Sequence, residues 1–424
     1  MPLLGLFAEV LAGLKCGGIF QVPRQRGRAT TAGGTEGPPP FGRKAPPQFW
    51  ETYVTDADTH DLKPTPLDAL HRARGAKMVP FAGYAMPVHY QGGIIKEHLH
   101  TRAQASLFDV SHMGQAHLLG DAAAAALETL VPGDITGLGK GKTRYTLLTN
   151  DQGGIIDDLM VTNCGSHLFI VVNAACKKGD FAHIRKRIGK RAKLKVLKDL
   201  ALIALQGPAA AAVFGRFVPA ARHMMFMTAE AFKLGDIACF VTRSGYTGED
   251  GYEISVAAKD AENLARLLLG EAEVMVAGLG ARDSLRLEAG LCLYGSDIDA
   301  NTTPIEAGLE WVIGKCRREQ GGFPGADVIL GQLKSGAPRR RVGLKPDGKA
   351  PARAHTPIHD KDGNTIGEVT SGGYGPTVEG PIAMGYVKAA FAAPGTPVNL
   401  MVRGKALAGQ VVKLPFVEQR YFNT

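Results

Sequence analysis

The sequence predicts an α+β protein that ends in a separate β module. Strand-like and helix-like segments alternate along most of the chain, but without the repeated β-α-β order of a doubly wound sheet. From residue 341 onward, short alternating segments are separated by Gly, Pro and Asp, which is typical of a small barrel or sandwich. The 424 residues are enough for two or three packed domains.

The first strong pattern is an antiparallel meander of three strands. Residues 144–149 alternate between apolar and polar side chains, and Asn150–Gly154 supplies turn residues. Ile155–Thr162 continues as a strand, and His167–Val172 follows a second polar turn. Three strands joined by such short turns favour sequential antiparallel pairing.

A strand, a helix and a hairpin are predicted next. Ala201–Leu205 has the length of a buried strand, and Gln206-Gly207-Pro208 opens an alanine-rich helix with proline near its first turn. Phe240–Arg243 and Tyr252–Val256 flank the glycine-rich segment Ser244–Gly251, which indicates a hairpin with a wide tip.

Further elements follow from periodicity alone. Helical spacing is found in Asp260–Leu269 and Ala281–Ala289. The strands predicted in the C-terminal module are Gly367–Thr370, Ile382–Val387, Pro397–Val402 and Ala406–Leu414.

These patterns divide the chain into three regions. Residues 1–62 are rich in Gly, Pro and Arg, and we expect an unstructured or processed N-terminal extension. Residues 63–335 form the α+β core, and residues 338–424 form the C-terminal β-barrel module. A start codon placed too far upstream and a mitochondrial transit peptide would both explain the extension.

Composition limits the classes of function. The net charge of +9 favours anionic partners, but the basic clusters lack interleaved aromatic residues, so we expect a solvated charged face and no nucleic-acid partner. No apolar run approaches the ~20 residues that cross a bilayer, so no membrane partner is expected. The six cysteines are scattered, which predicts free thiols in a reducing compartment and no metal site.

Three acidic residues and one arginine are candidates for chemistry. In a strand, Asp157 and Asp158 point to opposite faces, so one is held in the interior unless both lie on a wet edge. Glu249 lies in the glycine-rich segment, where glycines let the backbone crowd a ligand, although a simple acidic turn has the same pattern. Arg282 could bind a carboxylate or amide, or form an internal salt bridge to Glu249 or Asp283.

One short segment contains the residue types of a catalytic triad. Asp109, Ser111 and His112 lie within four positions of one another, and triad members so close in sequence rarely converge on one point. We therefore expect structural roles for them.

Several motifs together resemble the aminomethyltransferase family, the T-proteins of the glycine cleavage system. The resemblance runs from about Thr65 to the C-terminus. The segments that carry it are Phe108–Met113, Thr149–Asp158, Ala204–Pro208, Arg243–Gly251, Gly280–Gly295 and Thr302–Pro304.

The resemblance implies a fold and an activity. The fold is a three-domain cloverleaf around a central channel for tetrahydrofolate. The family takes the aminomethyl group from the lipoyl arm of H-protein, releases ammonia and forms 5,10-methylenetetrahydrofolate. Tetrahydrofolate is the acceptor substrate, no tightly bound cofactor or metal is implied, and a positive net charge suits an anionic folate and an acidic carrier.

The resemblance also implies site residues. The functional aspartate of the family aligns with Asp158, and its folate contacts align with Glu249, Arg282 and Tyr421. Tyr145, on the strand that faces Asp158, is a further implied folate contact. One carboxylate such as Glu249 can accept the adjacent N–H donors of a pterin, while Asp158 can orient the attacking nitrogen or accept its proton.

Two other kinds of folate-binding protein are alternatives. A non-catalytic folate-binding protein of iron–sulfur cluster maintenance would carry a signature that Gly314–Gln320 matches poorly. Folate domains of dimethylglycine or sarcosine oxidases follow a flavin domain, for which this chain has no room. The reducing compartment is predicted to be a bacterial cytoplasm, with the mitochondrial matrix as the alternative.

Overall fold

The computed structural model describes residues 62–423, so the expectation for residues 1–62 lies outside the described residues apart from Leu62. The helices are α1 (Asp68–Ala73), α2 (Gly93–Ala103), α3 (Ala123–Glu128), α4 (Lys177–Ile188), α5 (Ala210–Phe217), α6 (Ala261–Leu268), α7 (Leu279–Glu288), α8 (Lys315–Gln320) and α9 (Ala326–Ser335). The strands before the C-terminal module are β1 (Lys77–Phe81), β2 (Tyr84–His89), β3 (Ala105–Asp109), β4 (Gly114–Leu119), β5 (Thr143–Thr149), β6 (Ile155–Asn163), β7 (His167–Val172), β8 (Lys193–Val196), β9 (Leu200–Gln206), β10 (Ala229–Leu234), β11 (Ile237–Thr242), β12 (Gly251–Ala257) and β13 (Val274–Val276). The strands of that module are β14 (Arg339–Pro346), β15 (Pro357–His359), β16 (Thr365–Gly375), β17 (Gly380–Lys388), β18 (Pro397–Val402) and β19 (Lys405–Val412).

The predicted meander forms one side of a five-stranded sheet. Its order is β5-β6-β7-β4-β8, and β6 pairs antiparallel with both β5 and β7. Leu148, Leu159 and Ile170 lie in the apolar core on the face covered by α3 and α4. Since β6 is an interior strand, the alternative of an edge strand with both aspartates exposed to water is wrong.

A six-stranded sheet contains the predicted hairpin. Its order is β10-β11-β12-β9-β3-β13, and β11 pairs antiparallel with β12 with Cys239 opposite Val256. The wide tip of the hairpin is the glycine-rich segment Ser244–Asp250. On one face of the sheet, Phe214 of α5 packs against Tyr252 in the core.

The C-terminal strands close into a barrel with the order β14-β17-β16-β15-β18-β19. Each neighbouring pair is antiparallel, and Leu344, Val369 and Leu400 fill the interior. Closure leaves no unpaired strand edge, which stabilises a small β module. The prediction of an α+β fold with a C-terminal β-barrel is confirmed, whereas the domain limits at 335 and 338 stay a prediction.

Helix α7 lies where these parts of the molecule meet. It packs against α2, β2 and the barrel strands β16 and β17. Ala281 and Leu285 of α7 join an apolar cluster with Phe108 and Phe169, which lie on the two open sheets. This helix therefore places Arg282 at the junction of the sheets and the barrel.

The chain returns from the barrel to the core after β19. The backbone N–H groups of Phe416 and Val417 donate to the Glu288 carbonyl oxygen, and the N–H of Arg420 donates to Gly248 O at 2.8 Å. These bonds bring the last described residues against the tip of the β11–β12 hairpin. Across residues 62–423, the helices are all too short or too polar to cross a membrane.

Candidate active site

The Asp158 carboxyl is held by donors from both neighbouring strands. Asp158 lies opposite Leu147 of β5, and the Tyr145 hydroxyl donates to its carboxylate. Asn173, which directly follows β7, donates from Nδ2 to Asp158 Oδ1 at 2.6 Å. The Tyr145 ring stacks on Trp311, with 5.5 Å between the ring centroids. Two oriented donors fix the carboxyl in one position.

The environment of Asp158 makes it a base that titrates near neutral pH. Burial and then the negative charge of Asp157 raise the pKa of Asp158 to about 7, while the donors Tyr145 and Asn173 act in the opposite direction. A carboxyl with a pKa near the working pH can both accept and return a proton.

The neighbouring Asp157 is fully buried, with an exposed fraction of 0%. Burial therefore alternates along β6 as the strand pattern predicts. The separation of the two carboxyls is nevertheless incomplete, because Asn173 Nδ2 also donates to Asp157 Oδ1 at 2.9 Å. Asn173, the residue after β7, therefore donates from one side-chain amide to the carboxyls of both aspartates.

Glu249 is buried at the tip of the hairpin, between two arginines. Its Oε1 accepts from Arg102 Nη1 at 2.8 Å and from Arg420 Nη2 at 2.6 Å. Its Oε2 is buried and has no partner within residues 62–423. A buried acceptor without a donor is costly, so Oε2 is suited to accept from a ligand. The alternative of a simple exposed acidic turn is wrong.

The glycines of this loop lie against other parts of the protein. A Cβ at Gly245 would lie 1.8 Å from Gln206 Oε1, and one at Gly251 would lie 2.3 Å from Leu205 O. Gly248 has a φ of 77° and would place a Cβ 2.7 Å from Ala289 Cβ. These glycines therefore let the loop approach its own protein neighbours, and close approach of the loop to a ligand stays a prediction.

Arg282, in the first turn of α7, lies over the ring of Tyr246, with 4.7 Å from Cζ to the ring centroid. Its Nη1 atom is buried and has no partner in the described part of the chain. Burial lowers the pKa of this guanidinium. Arg282 forms no salt bridge with Asp283 or with Glu249. Asp283 pairs with Arg286 at 2.8 Å, and Glu249 pairs with the two arginines named above.

Tyr421 is placed by the returning C-terminal segment. Its ring stacks on Phe226 at 4.1 Å between centroids and 9° between ring planes. Burial raises the pKa of Tyr421 to about 12, and the charges of Arg102 and Glu249 also act on it. Tyr421 therefore belongs to the Glu249 end of the site.

Tyr246 connects the two ends. The charges of Asp158 and Arg282 both act on its hydroxyl, which donates to Cys292 O. The structure thus groups Asp158 with Tyr145, Glu249 with Tyr421, and Arg282 with Tyr246. Among residues 62–423, no group of three or more His, Cys, Asp or Glu side chains is placed to bind a metal ion.

Two family models match this chain. The model of the GCVT N-terminal domain matches residues 67–317, and that of the glycine cleavage T-protein C-terminal barrel domain matches residues 339–418. The chain belongs to the aminomethyltransferase family.

Relatives and a solved structure agree with the family models. "Aminomethyltransferase, mitochondrial" of Dictyostelium discoideum is 47% identical over 383 residues, covering 86% of this chain and 95% of the relative. The human protein of the same name is 49% identical over 370 residues, covering 85% of this chain and 91% of the human protein. The crystal structure of glycine cleavage system aminomethyltransferase T from Bartonella henselae has a TM-score of 0.81 and 47% identity, covering 85% of this chain and all of that one.

This aminomethyltransferase is therefore a folate-dependent one-carbon transferase of the glycine cleavage system, as the sequence motifs predict. Among the buried side-chain atoms of residues 62–423 that have no partner, Glu249 Oε2 and Arg282 Nη1 belong to this site, and together they suit a ligand that carries both donors and acceptors.

Sequence reasoning did not single out several residues of the site. Arg102 and Arg420 lie 147 and 171 positions from Glu249, so spacing gives no signal for either contact. Asn173 carries a weak signal, because it directly follows a strand paired with the Asp158 strand. The remaining three are Tyr246, Phe226 and Trp311.

Two members of the triad-like segment, Asp109 and Ser111, have structural contacts, whereas the third, His112, is buried and its Nδ1 has no partner among residues 62–423. Asp109 Oδ2 pairs with His71 Nε2 at 2.9 Å, and its Oδ1 accepts from the Ser111 N–H. The Ser111 hydroxyl contacts the backbone of Leu202. These contacts tie β3 to its surroundings.

Proposed function

We propose that this aminomethyltransferase takes the aminomethyl group from the lipoyl arm of H-protein and transfers its carbon to tetrahydrofolate, with Asp158 as the catalytic carboxylate. The products are ammonia, 5,10-methylenetetrahydrofolate and the reduced lipoyl thiol. The observation that carries the proposal is the Asp158 carboxyl, held by Tyr145 and Asn173, with a pKa near neutrality.

Glu249 would bind the pterin end of tetrahydrofolate. Its free Oε2 accepts adjacent N–H donors, while Arg102 and Arg420 hold Oε1. Arg282 Nη1 would donate to a folate carbonyl or carboxylate. Tyr421 would contribute ring surface at the Glu249 end of the site. A donor to a charged group contributes about 1.5–3 kcal/mol, enough to orient a substrate.

Asp158 would then handle protons. The bonds from the transferred carbon to the amino nitrogen and to the lipoyl sulfur both break, and the carbon forms new bonds to two folate nitrogens, each of which loses a proton. One of these protons ends on the departing ammonia and the other on the lipoyl sulfur. In its ionised form Asp158 accepts a folate N–H proton and stabilises developing positive charge on the carbon. In its protonated form it can return that proton to the leaving group.

Release of ammonia from aminomethylated H-protein, measured with and without tetrahydrofolate, tests this proposal. We expect tetrahydrofolate to accelerate release and to yield 5,10-methylenetetrahydrofolate in equal amount. A folate-binding protein that releases no ammonia would instead match the non-catalytic alternative.

We further propose the mitochondrial matrix as the compartment, supported by the relatives named as mitochondrial. The prediction of a bacterial cytoplasm is not supported by those relatives. A fluorescent protein fused to the C-terminus of the full chain tests this location, and we expect its signal in mitochondria. We also propose that residues 1–62 are dispensable, so a chain that starts at Lys63 should keep its melting temperature and activity.

A further inference from the structure

Three carboxyl groups meet beneath the strand that carries Asp158. Asp157 is 0% exposed, and Asp180, in the first turn of α4, is 1% exposed. The carboxyls of Asp157 and Asp180 are in hydrogen-bonding contact, and Asp180 Oδ2 has no donor among the described residues. Two ionised carboxylates in such contact repel each other strongly, so a proton between them is required.

The surrounding donors determine which of the two carries that proton. Asp157 accepts at both oxygens, from Asn173 N–H to Oδ2 at 3.0 Å and from Asn173 Nδ2 to Oδ1 at 2.9 Å. The Cys176 thiol also donates to Asp157. An ionised carboxylate only accepts, so these donors suit an ionised Asp157 and leave the proton on Asp180.

We propose that Asp180 is a protonated acid that donates to the Asp157 carboxylate, and that this pair positions Asp158 through Asn173. The proposal rests on the proposed function, in which Asp158 is the catalytic carboxylate. Asp180 itself is a positioning residue.

The path from Asp180 to Asp158 is continuous. Asn173 Nδ2 has two hydrogens, one donated to Asp157 Oδ1 and one to Asp158 Oδ1 at 2.6 Å. The orientation of Asp157 therefore sets the orientation of the Asn173 amide, and the amide sets that of Asp158. Loss of the Asp180 donor would free Asp157 to rotate away from Asn173.

The charges around the group agree with this assignment. Burial and then the charge of Asp157 raise the pKa of Asp180 to about 9, so Asp180 is neutral at neutral pH. Cys176 and Tyr294 face the same cluster, and burial raises the pKa of both, which leaves them neutral as well. Lys177, on the same helix as Asp180, instead donates to Tyr84 and to His112 O.

Infrared difference spectroscopy tests the proton directly and independently of catalysis. In the full chain that carries Asp158→Asn the signal of Asp158 is absent, and at neutral pH we expect the carbonyl stretch of the protonated Asp180 carboxyl to remain. That band should be lost in Asp158→Asn/Asp180→Asn and kept in the control Asp158→Asn/Asp347→Asn, which alters an exposed carboxyl. A band that survives Asp180→Asn would overturn the assignment of the proton.

Turnover tests the positioning role. Asp180→Ala should lower kcat by roughly tenfold, equivalent to one hydrogen bond, with the KM for folate within about twofold. Asp180→Asn should restore kcat, because its amide donates to Asp157 in place of the acid, and should leave the pH dependence of kcat unchanged. Wild-type kcat in Asp180→Ala would overturn the positioning role.

If Asp180→Ala does not fold, Asp180→Asn still decides the matter. If Asp180 were ionised in the native protein, Asp180→Asn would remove a negative charge and shift the acid limb of the kcat profile to lower pH. That shift would overturn the proposal. Full turnover by Asp158→Asn would instead contradict the proposed function, and the infrared result would still report on Asp180.

Discussion

Arg420 donates to Glu249 Oε1 at 2.6 Å, across 171 positions of sequence. Arg420 also donates from Nη2 to Arg102 O and from its backbone N–H to Gly248 O. The C-terminal segment thus supplies one of the two arginines that hold the carboxylate proposed to bind the pterin. It also brings Tyr421 to the same end of the site.

Replacement of Arg420 should weaken folate binding. Arg420→Gln removes one of two charged partners of Glu249 and loosens the segment that carries Tyr421. The Arg420 side chain is half exposed, so we expect a loss of about 1 kcal/mol, or roughly fivefold in Kd by calorimetry. Arg403→Gln, an exposed change in the barrel, is the control, and an equal Kd for Arg420→Gln and wild type would refute the role of this contact.

Replacement of Glu249 should affect folate more than the carrier protein. Glu249→Gln keeps the shape of the side chain but turns one acceptor into a donor. A pterin donor pair left without its acceptor costs about 1–3 kcal/mol, or roughly tenfold or more in Kd. The affinity for H-protein should stay within about twofold, because the buried Glu249 side chain is not on the surface that a carrier protein can contact. Equal losses for both partners would show a general defect of folding.

The activity should depend on pH through Asp158. Its pKa is raised to about 7, and the ionised form is the one that accepts a proton. The rate should therefore rise with pH through an acid limb near 7, measured as kcat/KM for folate. A pH-independent rate between pH about 5.5 and 8.5 would contradict this assignment.

The stability of the protein should fall as Asp180 ionises. Its pKa is raised to about 9, so it stabilises the native state at pH values below the ordinary aspartate pKa, and that contribution is lost as pH rises through about 9. Asp180→Asn removes the titrating group, so its melting temperature should decline less than that of the wild type as the pH rises from about 4 to about 9. Parallel declines in calorimetric scans of both proteins would speak against this linkage.

Short-range patterns in the sequence predicted much of the fold. The meander, the hairpin and the barrel strands each follow from alternation and turn residues within a few positions of one another. The pairing of β13 with β3 and the closure of the barrel are long-range contacts, for which local patterns give no signal.

The site was predictable only in part for the same reason. Alternation places Asp157 and Asp158 on opposite faces of the strand, and on that ground alone replacing Asp157 should affect turnover little. The hydrogen bonds of Asn173 to both carboxyls change that expectation, and we now predict a loss of turnover for Asp157→Asn as well. Sequence spacing could not show that a third residue bridges the two faces.

The central claim is that the negative charge of Asp158 carries the folate-dependent step. Single-turnover ammonia release from aminomethylated H-protein at saturating tetrahydrofolate tests it most directly, with Asp158→Asn compared to the wild type. We expect a folded variant that binds folate but releases ammonia at least roughly 10²-fold more slowly than the wild type. A rate within about threefold of the wild type would contradict it.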